Sequence, residues 1–241
     1  MELMPTFPQV MLLDLDDTLI VHSATSDPCW RRVCGRYASE IDGLSADRLF
    51  EAIRASSEEY WSDSARHRRG RLDLPNARRE VVAAAFANLG LNNNRLAHEL
   101  ADAYTDERRS SFYPFPGAIE TLEIFRQRGI RLGLVTNGNA SEQRPKIERF
   151  QLAPFFEHIF IEGEMGMGKP DQRVFRHVLD TFQIEAPDAW MVGDNLVWDV
   201  EAPQNLGIFS VWIDLAGDGT PPSSTVKPDL TVSSLADLAA D

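Results

Sequence analysis

Short apolar runs that stop at acidic or polar clusters recur along this chain. Between them lie stretches in which apolar residues return every three or four positions. The run Val10-Met11-Leu12-Leu13 is continuous and rich in Val and Leu, which predicts a strand buried on both faces, as in a parallel sheet. Residues 131–135, 158–161, 189–192, 209–213 and 230–232 read as strands in the same way. Helices are predicted over 117–128, where Gly129 ends the run, over 141–150, and from Pro170 onward, since Pro suits a first helical position. Two more are predicted over 199–205 and 235–239. Strands alternating with single helices imply βαβ units around a parallel sheet.

The texture differs between about Asp27 and Arg109, where helical periodicity dominates. Residues 46–61, 74–89 and 95–108 each place apolar side chains on one helical face, and Asn92-Asn93-Asn94 is a loop able to cap the last of them. Pro114-Phe115-Pro116-Gly117 marks the return to the alternating pattern. The expected fold is therefore α/β, a doubly wound, Rossmann-like parallel core made of residues 1–19 and 115–241, with an α-helical insert over 20–114.

Bulk properties narrow the function. A chain of 241 residues buries roughly 70–75% of its unfolded surface and needs no staple to fold. The net charge of −13 disfavours binding to nucleic acid, and it is uneven: residues 20–114 hold 14 Arg against 14 acidic residues, so the remainder carries all of it. Cys29 and Cys34 make neither a disulfide framework nor a zinc set and read as reduced buried thiols. No apolar run is long enough to span a bilayer, and the stretch Met1 to Val10 has no basic start, so no membrane role and a cytoplasmic location are expected.

Four polar clusters stand where apolar strands end: Asp14-Leu15-Asp16-Asp17-Thr18, Thr136-Asn137-Gly138, Lys169-Pro170, and Gly193-Asp194-Asn195 with Asp199 beyond it. In open α/β sheets, ligands bind past the carboxyl ends of the strands, so the four can converge although they are far apart in sequence. Asp14 and Asp16 point to the same side of an extended segment, and two such carboxylates need a cation or a proton to coexist. The carboxylates suit a hard cation such as Mg²⁺, and a lysine beside that cation suits a phosphoryl group. Acids near strand ends also serve as turn or capping residues, Asn-Gly also makes plain turns, and a single lysine is commonly a solvated one; the reading rests on the four together. Asp17 is read as a surface position.

In these motifs the chain resembles the haloacid dehalogenase superfamily, in its phosphatase branch with a helical cap inserted after the first strand. The motifs stand in order over roughly residues 8–215: Asp14-x-Asp16-x-Thr18, Thr136, Lys169 and Gly193-Asp194-x-x-x-x-Asp199. The resemblance implies a phosphomonoester hydrolase acting on a small phosphorylated metabolite through an aspartyl-phosphate. Asp14 would be the nucleophile, and Asp16 would protonate the leaving oxygen and then activate water. Thr136 and Lys169 would hold the phosphoryl oxygens, with Asn137 near enough to orient them. Mg²⁺ would bind Asp14, the Asp16 carbonyl and Asp194, while Asp199 would orient Lys169 or a metal-bound water.

Other features carry less. Residues 163–169 match the start of a P-loop, but Pro170 stands where Ser or Thr would bind Mg²⁺, and Glu164 lies where phosphates would sit. The basic run 66–71 reads as a solvated loop between helices; a sharper reading has it grip an anionic substrate. Trp30 and Trp61 read as core packing rather than base-stacking residues. No Gly-x-Ser-x-Gly elbow exists. The alternatives on the same fold are 2-haloacid dehalogenation, against which Asp16, Asp194 and Asp199 argue, and a phosphomutase, which needs the same residues but holds the intermediate against water. A binding protein without catalysis needs no nucleophile and acid two residues apart.

Overall fold

The structure is a computed structural model that describes residues 6–41 and 43–239; of the targeting reading over Met1 to Val10, residues 1–5 lie outside it. In chain order the elements begin with β1 (Val10–Leu13) and the two-residue β2 (Ile20–Val21). Five helices follow: α1 (Ser26–Tyr37), α2 (Ala46–Ser62), α3 (Ser64–Gly70), α4 (Leu74–Asn88) and α5 (Asn94–Ser111). Then come β3 (Tyr113–Pro114), α6 (Ala118–Gln127), β4 (Arg131–Thr136), α7 (Ala140–Arg149) and β5 (His158–Ile161). The chain continues with α8 (Glu162–Met165), α9 (Gln172–Phe182), β6 (Ala189–Gly193), a π-helical turn Leu196–Glu201, α10 (Ala202–Gln204), β7 (Phe209–Ile213) and β8 (Leu230–Val232), and a 3₁₀ turn Leu235–Leu238 follows. Two compact units result, Met1–Val21 with Tyr113–Asp241, and His22–Phe112.

The first unit is built on a six-stranded sheet in the order β5-β4-β1-β6-β7-β8, every neighbouring pair parallel. The central strands β1, β4 and β6 are buried nearly throughout, which is why they read as apolar runs, whereas β8 at the edge is part-exposed. Val10, Leu12, Val135 and Met191 pack on one face with Val174, Phe175, Val178 and Phe182 of α9. Gly133 of β4 leaves room for that helix: a Cβ there would lie 2.8 Å from the Phe182 ring and 3.0 Å from Leu12. From β1 the chain runs outward to β4 and β5, then crosses back to β6 and runs outward the other way. The order therefore reverses beside β1, and this is the place where doubly wound sheets bind ligands.

The second unit is a helical cap. Cys29, Trp30, Val33 and Cys34 of α1 pack with Phe50 and Ile53 of α2, Val82 and Phe86 of α4, and Leu100 and Tyr104 of α5. Both cysteines are free and buried. Trp30 stacks on Tyr104 at 3.4 Å between centroids, so this tryptophan serves packing.

Several local expectations change. The basic run is not a loop: Asp63 caps a helix through the Arg66 N–H, and α3 carries Arg66, Arg68 and Arg69. The helix expected from Pro170 starts at Gln172, because Asp171 takes the N-cap by accepting from the Arg173 N–H. The predicted helix over 199–205 is a π-helical turn from Leu196 continued by α10. The last predicted helix is a single 3₁₀ turn. Asp17 is buried rather than on the surface, since it sits at φ 59 in a tight turn whose chain folds straight back, with its N–H bonded to the Ile20 carbonyl. Among the described residues, no helix is long and apolar enough to cross a membrane.

Candidate active site

The site grows from the carboxyl ends of β1, β4 and β6. Asp14 follows β1 directly and continues its ladder, its N–H bonding the Val192 carbonyl of β6. That bond fixes the Asp14 backbone at the centre of the sheet. Thr136 is the last residue of β4, and Gly193 the last of β6, with Asp194 just beyond.

Lys169 is fully buried, and its ammonium lies between two carboxylates, 2.8 Å from Asp14 Oδ1 and 2.5 Å from Asp199 Oδ1. Asn137 holds its backbone: Asn137 Nδ2 donates to the Lys169 carbonyl at 2.7 Å and Oδ1 accepts from the Lys169 N–H at 2.8 Å. The sequence offered Asn137 as a neighbour able to orient phosphoryl oxygens. The hydrogen bonds here make it a clamp that sets where Lys169 enters the site. Asp199 stands on the π-helical turn, and its second oxygen accepts from the Asn195 N–H at 3.1 Å. Gly193 is needed opposite it, since a Cβ there would lie 2.4 Å from the Asp199 carboxyl carbon.

Carboxylate oxygens of Asp14, Asp194 and Asp199 lie within 4.8 Å of one another. Burial, together with the Asp199 and Asp16 charges, pushes Asp14 up to about 7 against the pull of Lys169. Burial and the Asp14 and Asp199 charges push Asp194 up to about 8. Lys169 is raised too: burial would lower it, but the Asp14 and Asp199 carboxylates outweigh burial and hold it charged. One ammonium for three close acids leaves excess negative charge, and oxygen-only donors fit a hard divalent cation such as Mg²⁺.

Asp16 sits in the turn after Asp14 and is held from α7. Lys146 Nζ bonds both its carboxylate oxygens at 2.7 Å, and Gln143 Nε2 donates to its Oδ2 at 3.0 Å. The same Gln143 amide donates to Thr136 Oγ1 at 2.7 Å. Neither residue stood out in the sequence, where both fall within the helix predicted over 141–150. Their spacing of three, facing one side of a helix just after a candidate strand end, was the available signal.

The P-loop-like stretch holds no phosphate cradle. It folds as α8 and a turn, with Glu162 Oε2 accepting from the Gly138 N–H at 2.9 Å and lying so close to Gly168 that a Cβ there would sit 2.4 Å from its carboxyl carbon. Arg144 pairs bidentately with Glu164.

The family model for haloacid dehalogenase-like hydrolases matches residues 8–207. The chain belongs to the haloacid dehalogenase-like hydrolases. It is 35% identical to the phosphoserine phosphatase of Thermus thermophilus, over 95% of this chain and 97% of that one. It is 33% identical to the glyceraldehyde 3-phosphate phosphatase of Pyrococcus abyssi, over 85% and 80%. These similarities set this haloacid dehalogenase-like hydrolase in the phosphatase branch, among the phosphoric monoester hydrolases. The fold is shared with the haloacid dehalogenase-like hydrolase YfnB of Bacillus subtilis, a magnesium-bound crystal form, at a TM-score of 0.74 and 21% identity over 97% of both chains.

Proposed function

We propose that this protein is a Mg²⁺-dependent phosphatase that cleaves a small phosphorylated metabolite through a phosphoryl group carried on Asp14. The observation that carries this reading is the meeting of Asp14, Lys169, Asp194 and Asp199 at one end of the sheet, with Asp16 two residues from the nucleophile.

Asp14 and Asp194, with the Asp16 backbone carbonyl, would hold the Mg²⁺, and Asp199 lies close enough to orient Lys169 or a ligand water. When bound, the ion neutralises the repulsion between the Asp14 carboxylate and the phosphate dianion. The Asp14 carboxylate attacks phosphorus while the bond from phosphorus to the ester oxygen breaks. Asp16 supplies the proton that the departing alkoxide needs. Asp16 then takes a proton from water as that water attacks the phosphorus of the aspartyl-phosphate, which releases inorganic phosphate and restores Asp14. Lys169 and the Thr136 hydroxyl hold phosphoryl oxygens, and Lys169 also favours the ionised form of Asp14. A nucleophile and an acid two residues apart serve this sequence and have no use in a binding protein.

The relatives' substrates are phosphoserine and glyceraldehyde 3-phosphate, each a short carbon chain bearing one phosphate. That supports a substrate of this size. The test is phosphate release with Mg²⁺ from a panel holding phosphoserine, glyceraldehyde 3-phosphate, phosphoglycolate, sugar phosphates and nucleoside monophosphates. Asp14→Asn should abolish release from whichever compound is best while the protein stays folded. Near-full activity in that variant, or halide release from a 2-haloacid by the wild type, would overturn the reading.

A further inference from the structure

A buried lysine on a ten-residue helix needs explaining. Lys146 is only 6% exposed, and Gln143, one turn before it on α7, is equally enclosed. Taking an ammonium out of water is costly, and that loss is offset only by a fixed, well-bonded anion. An apolar side chain would seat α7 against the sheet with no such loss. What the two polar residues add is geometry at Asp16. Lys146 grips both carboxylate oxygens from one side, and Gln143 reaches Asp16 Oδ2, Thr136 Oγ1 at 2.7 Å and the Asn137 carbonyl at 2.8 Å with one amide nitrogen. The carboxylate of Asp16 is thereby tied to the end of β4, although it stands on a turn with staggered alternatives open to its χ1.

We propose that Gln143 and Lys146 are positioning residues for the proton-transfer step: they fix the Asp16 carboxylate relative to Thr136, so that leaving-group protonation depends on both. This rests on the reading of Asp16 as the acid. Such a role predicts a dependence on the leaving group that mere packing would not give. Nitrophenolate departs without a proton, whereas an alkoxide requires one. The quantity to compare is kcat/KM, which reports the steps up to departure of the leaving group and is blind to later hydrolysis of the aspartyl-phosphate.

Lys146→Met should lower kcat/KM for an alkyl ester such as β-glycerophosphate by about 10–100-fold, the loss that follows misplacement of a catalytic group. For p-nitrophenyl phosphate the fall should be several-fold smaller. Gln143→Leu should show the same split with a smaller amplitude, and it keeps the test alive if the lysine variant does not fold. In an Asp16→Asn background, Lys146→Met should add almost nothing for the alkyl ester, since two residues acting through one group are not additive. Equal losses on both esters, or full additivity with Asp16→Asn, would overturn the proposal. If those results come while Asp14→Asn is inactive, only the positioning role fails; if Asp14→Asn is active, the phosphatase mechanism itself fails.

Discussion

Replacing Lys169 by Met is the sharpest structural perturbation available. The side-chain volume is kept while the charge shared by Asp14 and Asp199 disappears, at 2.8 and 2.5 Å respectively. Lys169 and Asp199 are each 1% exposed, so solvent screens the pair little. Removing one partner of a buried pair typically destabilises by about 3–5 kcal/mol, because the other charge is left uncompensated. For a chain of this length that corresponds to a Tm lower by roughly 6–20 °C. The loss should depend on pH in a defined direction. Asp14 and Asp194 sit at about 7 and about 8, above the usual carboxylate value, so the folded state keeps protons that the unfolded chain has already released. Stability contributed by these groups therefore declines as pH rises from about 4 to about 8. Lys169 restrains that decline at Asp14, and without it Asp14 rises further and the decline extends to higher pH. Thermal unfolding of both proteins in EDTA, at pH 5.5 and pH 8, reads the effect. The larger difference is expected at pH 8. A Tm change under about 2 °C, or one equal at both pH values, would refute the electrostatic account of this lysine.

Metal removal and a backbone substitution test other parts of the site. EDTA should stop phosphate release and added Mg²⁺ restore it, and Mg²⁺ should raise Tm more at pH 8 than at pH 5.5, because the ion competes with protons for Asp14 and Asp194; phosphate release indifferent to EDTA would refute the metal dependence. Gly193→Ala should lower kcat by more than about 10-fold with the secondary structure retained, because a methyl 2.4 Å from the Asp199 carboxyl carbon must push that carboxylate off Lys169; unchanged activity would mean that the placement of Asp199 is immaterial.

The centre of the sheet was legible because β1, β4, β6 and β7 are buried almost throughout and so read as apolar runs; β1, β5, β7 and β8 occupy the very stretches predicted for them, although β5 is half-buried and β8 part-exposed. Helix starts were less legible where capping competed with propensity. Pro170 looked like a first helical residue, but Asp171 offers a side chain that accepts from the Arg173 N–H, and that bond sets the start. Helix α1 escaped notice because Pro28 and Gly35 on its exposed side weaken the helical signal and its buried residues include two cysteines. At the site, Asp14 and Asp194 were readable because each directly follows a strand, whereas Lys169, in the turn before α9, and Asp199, inside the π-helical turn, were readable only in combination with them. Gln143 and Lys146 were not. A polar residue on an amphipathic helix carries no sequence mark that it is turned inward, and only the packing of α7 against β4 and the acidic turn reveals it. Asn137 was noticed, but its hydrogen bonds to the Lys169 backbone join residues 32 apart in sequence, a contact that no local pattern encodes.

The most direct test of the covalent mechanism is an acid quench of the wild type during turnover of a ³²P-labelled phosphomonoester, followed by peptide mapping. The account predicts label on the protein that hydroxylamine removes, located in the peptide containing Asp14 and missing from Asp14→Asn. Label that never joins the protein while phosphate is being released, or that stays attached in the Asn variant, would contradict it.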